Sequence, residues 1–202
     1  MPKEPKPQKP EALPLLSLPE GEEDSYRQVN QRAVREIISW VLLFLAAVVT
    51  AALIQRFVAE PLRVDGQSMM NTLQNNEFIL VSKADYWHSD PERLDVVICR
   101  YPERAATYVK RVIALPGDTV EVKNQQVYVN GEPLEEPYID YPADYDYPPT
   151  LMGEDEYFVL GDNRVHSTDS HVIGPLRREA ILGRVSLVVY PQVRPVAGSD
   201  QR

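Results

Sequence analysis

From residue 37 to residue 54 the chain reads IISWVLLFLAAVVTAALI, without a charge, and Phe57 and Val58 extend the run. A helix needs roughly 20 mostly apolar residues to span a bilayer, and this stretch meets that length. Trp40 near one end suits the membrane interface. A cleaved signal peptide is the competing reading. Its apolar region is usually only ~7–15 residues and follows a short leader, whereas here a Pro-, Lys- and Glu-rich leader precedes a longer run. The pattern therefore predicts an uncleaved transmembrane helix over 36–58, after a disordered cytoplasmic tail over 1–35. Arg27, Arg32 and Arg35 lie before the span, and Arg56 and Arg63 after it. By a small margin the positive-inside rule places the N-terminus in the cytoplasm.

Beyond the span the period changes from a continuous apolar run to short alternating ones. Leu62–Asp65, Phe78–Lys83, Asp95–Tyr101, Thr107–Leu115, Thr119–Lys123, Gln126–Val129, Glu156–Leu160 and Ile181–Tyr190 read as strands bounded by turn residues. TVEVK-NQ-QVYVN has the alternation of a hairpin. Asn130-Gly131 and Pro116-Gly117-Asp118 are turn signals. Residues 132–156 carry five prolines and four tyrosines among many carboxylates. Proline removes ladder donors, so this stretch reads as a long surface loop, its tyrosines covering a groove or meeting lipid headgroups. The expected architecture is mainly β, one domain over 59–192 with a C-terminal tail over 193–202.

Charge is unevenly placed. Residues 1–59 hold 7 basic and 7 acidic side chains, and residues 60–202 hold 14 basic and 23 acidic ones, so the net −9 belongs to the β domain. An acidic body does not neutralise phosphates and argues against nucleic-acid binding. The single cysteine, Cys99, excludes an intramolecular disulfide and a Cys-rich metal site; it reads as a packed thiol. No cofactor or metal is expected.

Two polar residues stand inside apolar surroundings. Ser68 opens Ser68-Met69-Met70, and Lys110 sits in Tyr108-Val109-Lys110-Arg111-Val112-Ile113. Burial disfavours a charged amine and lowers its pKa. A neutral lysine takes a proton from a nearby hydroxyl and makes it a nucleophile. Arg111 must point to the opposite face, because side chains alternate along a strand. A Ser-His-Asp triad from His166, Ser167 and Asp169 competes, but neighbours on an extended segment face opposite ways. A metal site from His166, His171 and Asp169 has poor ligand geometry for so short a segment.

Four segments line up in order: Ser68-Met69 with Thr72-Leu73; Arg93-Leu94-Asp95-Val96-Val97; Tyr108-Val109-Lys110-Arg111 through Pro116-Gly117-Asp118; and Gly161-Asp162-Asn163-Arg164 with Ser167-Thr168-Asp169-Ser170. With the N-terminal anchor, the chain resembles the bacterial type I signal peptidases (leader peptidases), membrane-bound serine–lysine endopeptidases that remove signal peptides from exported preproteins. The resemblance covers most of residues 36–190. It implies a catalytic domain of packed antiparallel sheets, Ser68 as nucleophile, Lys110 as general base, and Ser167 as the group that orients the amine. It also implies a supporting network of Asp162, Arg164, Asp169 and Arg111, with the Ser68 backbone N–H serving the oxyanion hole. Leu62, Val64, Met69, Leu73, Ile79, Val97, Tyr108 and Val109 would line a groove for small residues at the first and third positions before the cut. Leu62–Val64 and Tyr108–Val109 would pair with the extended peptide.

The implied partners are secretory preproteins and the lipid bilayer, around an enzyme expected to be monomeric, with its catalytic domain on the extracytoplasmic side of the bacterial plasma membrane. Three positions depart from the family pattern: Asn71 replaces a proline, His171 an arginine, and Ala114 a glycine. Gly66 offers no hydroxyl where some relatives carry serine. Self-cleaving repressors share the chemistry but are soluble. A membrane-tethered, non-catalytic adaptor with a β domain is the alternative of a different class.

Overall fold

The computed structural model describes residues 20–102, 104 and 106–198, with side chains from residue 31 onward. Contacts divide the chain into one unit ending at Thr50 and a second from Ala51 to the C-terminus. A helix, α1, runs over Glu20–Leu53, and a wider π turn continues it over Ile54–Val58. Gln31–Val58 is long and apolar enough to cross a membrane, and its side chains are unburied. The helix starts earlier than the apolar pattern predicts. Residues 20–35, expected in a disordered tail, are helical, because Glu, Gln, Arg and Ala are good helix formers and extending an existing helix costs far less than nucleating one. The rest of the expected tail, residues 1–19, lies outside the described residues.

The second unit is mainly β, and every strand pairing is antiparallel. The larger sheet contains β1 (Ala59–Arg63), β2 (Phe78–Ser82), β3 (Val96–Cys99), β4 (Tyr108–Ala114), β9 (Glu156–Leu160), β10 (Leu176–Arg177), β11 (Ile181–Tyr190) and β12 (Arg194–Pro195). Its order is β1-β2-β11-β3-β4-β9-β10, with β12 also on β11. The smaller sheet contains β5 (Thr119–Lys123), β6 (Gln126–Val129), β7 (Glu132–Pro133) and β8 (Tyr147–Leu151), ordered β7-β6-β5-β8. The hairpin predicted from TVEVK-NQ-QVYVN is β5–β6, paired from Val120↔Val129 to Lys123↔Gln126.

Two expectations are corrected here. The segment 132–156 is not loop throughout, since β7 and β8 lie within it. Pro148 and Pro149 are tolerated because β8 is an edge strand, where a missing N–H costs no ladder bond on the open side, and because its register on β5 shifts between Tyr147 and Thr150, so neither proline is paired. The C-terminal segment is not a free tail either. β12 pairs with β11, Val196 is buried, and the Ala197 carbonyl accepts a hydrogen bond from Arg111. Residues 199–202 lie outside the described residues.

Alternation decides which residues fill the core. Ile79, Val81, Val96, Ile98, Val185 and Val188 join Val64, Met69 and Leu73 on one side of the larger sheet. Val97, Cys99, Val112, Val159 and Ile181 pack on the other. The smaller sheet closes over a third cluster, with Val120, Val122, Val127 and Val129 against Ile113, Phe158 and Leu160. Each such side chain contributes about 1.5–3 kcal/mol when fully removed from water. Cys99 is among them, and burial pushes its thiol up to about 12, which leaves it an inert packing group.

Candidate active site

Ser68 begins a tight turn. The amide of Met70 donates to the Gln67 carbonyl, and those of Thr72 and Leu73 donate to the Met69 carbonyl. Met69 and Leu73 anchor this turn in the core. Arg194 of β12 fastens it from outside, donating to the Thr72 carbonyl at 3.0 Å and to Glu77 at 2.7 Å. Asn71 sits at φ 95°, a conformation that asparagine tolerates and that a proline ring, locked near −65°, excludes. The asparagine therefore belongs to a turn of different backbone shape from one built on proline.

Lys110 lies in the middle of β4, opposite Val97 of β3, and is 1% exposed. Its amine donates to Ser167 Oγ at 2.7 Å. Burial pushes the amine below the ordinary lysine value of 10.5, against the opposing pull of Asp169, Cys99 and Asp162. Burial alone would raise the Asp169 carboxyl. His171, Ser167 and the Gly161 amide, with the Lys110 charge, instead hold it below the usual carboxylate range.

Arg111, next in sequence, faces away from Lys110 and is equally buried. Its Nε and Nη2 hold Asp162 at 2.9 and 2.7 Å, and Nη1 donates to the Leu94 and Ala197 carbonyls. Thr72 Oγ1 donates to the same carboxylate, so the network reaches from β4 to the Ser68 turn. Burial opposes the Arg111 charge, but the hydrogen bond and charge of Asp162 outweigh it and raise its pKa.

The segment after β9 ties these pieces together. The Asn163 amide donates to the Ser68 carbonyl at 2.9 Å, and its side chain donates to the Gln67 carbonyl at 3.1 Å. A β-carbon on Gly161 would stand 2.5 Å from the Ser68 carbonyl oxygen and 2.2 Å from Ser167 Oγ. Those two atoms thus close on a single point that only glycine leaves free. Gly161→Ala should push the Ser68 carbonyl and the Ser167 side chain away from residue 161. The expected loss is about 1–3 kcal/mol of stability, read as a lowered thermal midpoint of the purified chain; an unchanged midpoint would contradict this contact.

Beside Ser68 a cavity of about 510 Å³ is lined by Leu62, Val64, Met69, Ile79, Tyr108 and Val109, with Ile98, Thr107 and the polar pair Arg63 and Asp65. Two residues expected there lie elsewhere. Leu73 is wholly buried beneath the Ser68 turn. Val97 packs on the opposite face of β3, and its neighbour Ile98 takes the cavity position, as strand alternation requires.

The short helix α2 (Ser170–Ile173) is capped by Asp169, whose Oδ1 also meets His171 Nδ1 at 2.5 Å. His171 thus keeps a contact to Asp169 at a position where an arginine was expected. Its ring stacks on Tyr145 at 3.9 Å, and the Tyr138 ring covers the Arg111 guanidinium at the same distance. These tyrosines of the acidic segment cover the back of the polar network, where a groove or lipid headgroups had been expected. Arg164 pairs with Glu136, a residue that nothing in its Pro- and Glu-rich surroundings singles out. His166, from the rival triad, is exposed, while Ser167 turns to Lys110.

The family profile described as "Signal peptidase, peptidase S26" matches residues 37–190. A signal peptidase I of Leptolyngbya laminosa is 35% identical over 195 residues, 93% of this chain and 90% of the relative. Signal peptidase I S of Bacillus subtilis (strain 168) is 38% identical over 175 residues, 80% of this chain and 94% of the relative. A probable signal peptidase I-2 of Synechocystis is 41% identical over 154 residues, 73% and 71% of the two chains. A chain with an apolar N-terminal helix followed in sequence by a mainly β unit, in which a buried lysine holds Ser167 and a cavity lies beside Ser68, is thus matched by peptidases over most of its length. The chain belongs to the signal peptidase S26 family.

Proposed function

We propose that this chain is a membrane-anchored endopeptidase that removes signal peptides from exported preproteins, with Ser68 as nucleophile and Lys110 as general base. The observation that carries the reading is a lysine amine withdrawn from water and held by Ser167, with Gly161 wedged between that Ser167 hydroxyl and the Ser68 carbonyl. The Lys110 amine donates an N–H to Ser167 Oγ, which orients it. The neutral amine keeps its lone pair for the Ser68 hydroxyl.

In the first step Lys110 takes the Ser68 proton as Oγ attacks the scissile carbonyl. The Ser68 N–H, which has no acceptor among the described residues, stabilises the oxyanion. The Lys110 ammonium then protonates the departing amine, leaving the signal peptide esterified to Ser68. A water, deprotonated by Lys110, attacks that ester, and the proton returns to Ser68. Gly66 supplies no hydroxyl, so backbone alone carries the oxyanion.

Among the described residues, the outer edge of β1 and the edge of β4 before Arg111 that faces away from β3 have no strand partner, and both border the cavity. An extended peptide adds to such edges as a strand, sending alternate side chains into the pocket. Leu62, Val64, Ile79 and Ile98 leave room there for small residues such as alanine at the first and third positions before the cut.

Signal peptides emerge on the exported side, so the β unit belongs outside and the N-terminus in the cytoplasm. Inside-out vesicles carrying the chain should leave an added preprotein intact until detergent opens them. Mass spectrometry should then place the cut after a small residue. Cleavage before detergent would reverse the orientation, and no cleavage in detergent would overturn the peptidase reading.

A further inference from the structure

The segment 134–146, between β7 and β8, lends no residue to the cavity beside Ser68, yet it reaches the site from behind through one buried carboxylate. Glu136 takes both terminal nitrogens of Arg164, Nη1 at 3.1 Å and Nη2 closer, and the two side chains are 3% and 1% exposed. Arg164 Nε in turn donates to the Gly161 carbonyl at 3.0 Å. Gly161 is the residue pinched between the Ser68 carbonyl and the Ser167 hydroxyl, with its amide on Asp169. Glu136 also accepts from the Tyr138 hydroxyl at 2.8 Å, and the Tyr138 ring lies on Arg111, the partner of Asp162. One carboxylate therefore holds two arms, ending on the residues either side of the Gly161-Asp162 bond.

We propose that Glu136 is a positioning residue for peptide cleavage: through Arg164 and Tyr138 it fixes the Gly161–Asp162 turn, and with it the spacing of Ser68 and Ser167. The inference rests on the Ser68–Lys110 reading. It differs from a stabilising role in a measurable way. A buried ion pair replaced on both sides by apolar residues is often neutral or stabilising, so a merely structural pair is dispensable in that form. A positioning pair is not, because no apolar side chain replaces the hydrogen bond to the Gly161 carbonyl. A small displacement of reacting groups costs on the order of 100-fold in rate.

The test uses the full chain in detergent with a preprotein substrate. Glu136→Leu combined with Arg164→Met should stay folded with a modestly lowered thermal midpoint, since the Gly161 carbonyl and Tyr138 hydroxyl lose their partners. The double variant should lose about 100-fold in kcat and leave KM within about twofold. Glu136→Asp keeps the charge on a shorter arm and covers the case in which the double variant does not fold. It should lose about 10-fold in kcat at unchanged KM. Wild-type kcat in either folded variant overturns the proposal. So does a rise in KM with kcat unchanged, which would make Glu136 a substrate contact. A wild-type chain that cuts nothing would instead bring down the Ser68–Lys110 reading on which this one stands.

Discussion

Lys110→Arg should reduce preprotein cleavage by about 10³-fold or more while leaving the chain folded. General-base catalysis contributes up to about 10⁴-fold, and a guanidinium does not deprotonate in a protein. It puts a permanent positive charge at that point of β4 and has no lone pair to offer the Ser68 hydroxyl. The same requirement fixes the pH dependence. The folded-state pKa of Lys110 lies below 10.5 because of burial, so the neutral, competent amine grows in as pH rises through that lower value. Activity should therefore climb with pH inside a window that closes below 10.5. Stability moves the same way, since the unfolded chain binds the extra proton in that window and the penalty of burying a charge fades towards alkaline pH. Activity already maximal in acid and flat through the alkaline range would rule out a lysine base.

Asp162→Ala should cost about 3–5 kcal/mol, the usual consequence of leaving one buried charge without its partner. Asp162 is 0% exposed and is the only carboxylate among the described residues that hydrogen-bonds Arg111. Thr72 loses its acceptor in the same step, which frees the Ser68 turn from β4. A large drop in the thermal midpoint of the full chain, with cleavage lost in parallel, is the expected result. A change below about 1 kcal/mol, the range of an exposed pair, would mean that this pair is not load sharing between the turn and the sheet.

Much of this arrangement was legible in the residues. Strand alternation alone separates Lys110 from Arg111 and sends one into a dry setting and the other to a carboxylate. The hairpin of β5 and β6 follows from its valines and its turn. What escaped were features set by tertiary partners. Pro148 and Pro149 hid β8, because a sequence does not say which strand will lie at an edge. Val97 was expected in the cavity in place of Ile98, a one-residue error in face that β-strand periodicity makes easy. Glu136 was invisible among neighbouring carboxylates until folding buried it against Arg164. Good helix formers extending an existing helix, rather than the apolar pattern, carried α1 back to Glu20. The Pro-free turn at Asn71 shows the same limit, since its departure from the family pattern was readable but its left-handed backbone was not.

The protonation of the Lys110 amine itself is the most direct test. Its ¹⁵Nζ resonance, assigned by its absence from a Lys110→Met variant, can be followed in detergent from neutral to strongly alkaline pH. Loss of the proton with a midpoint below the ordinary 10.5 is the predicted result. An amine that stays protonated up to or beyond that value would contradict the account.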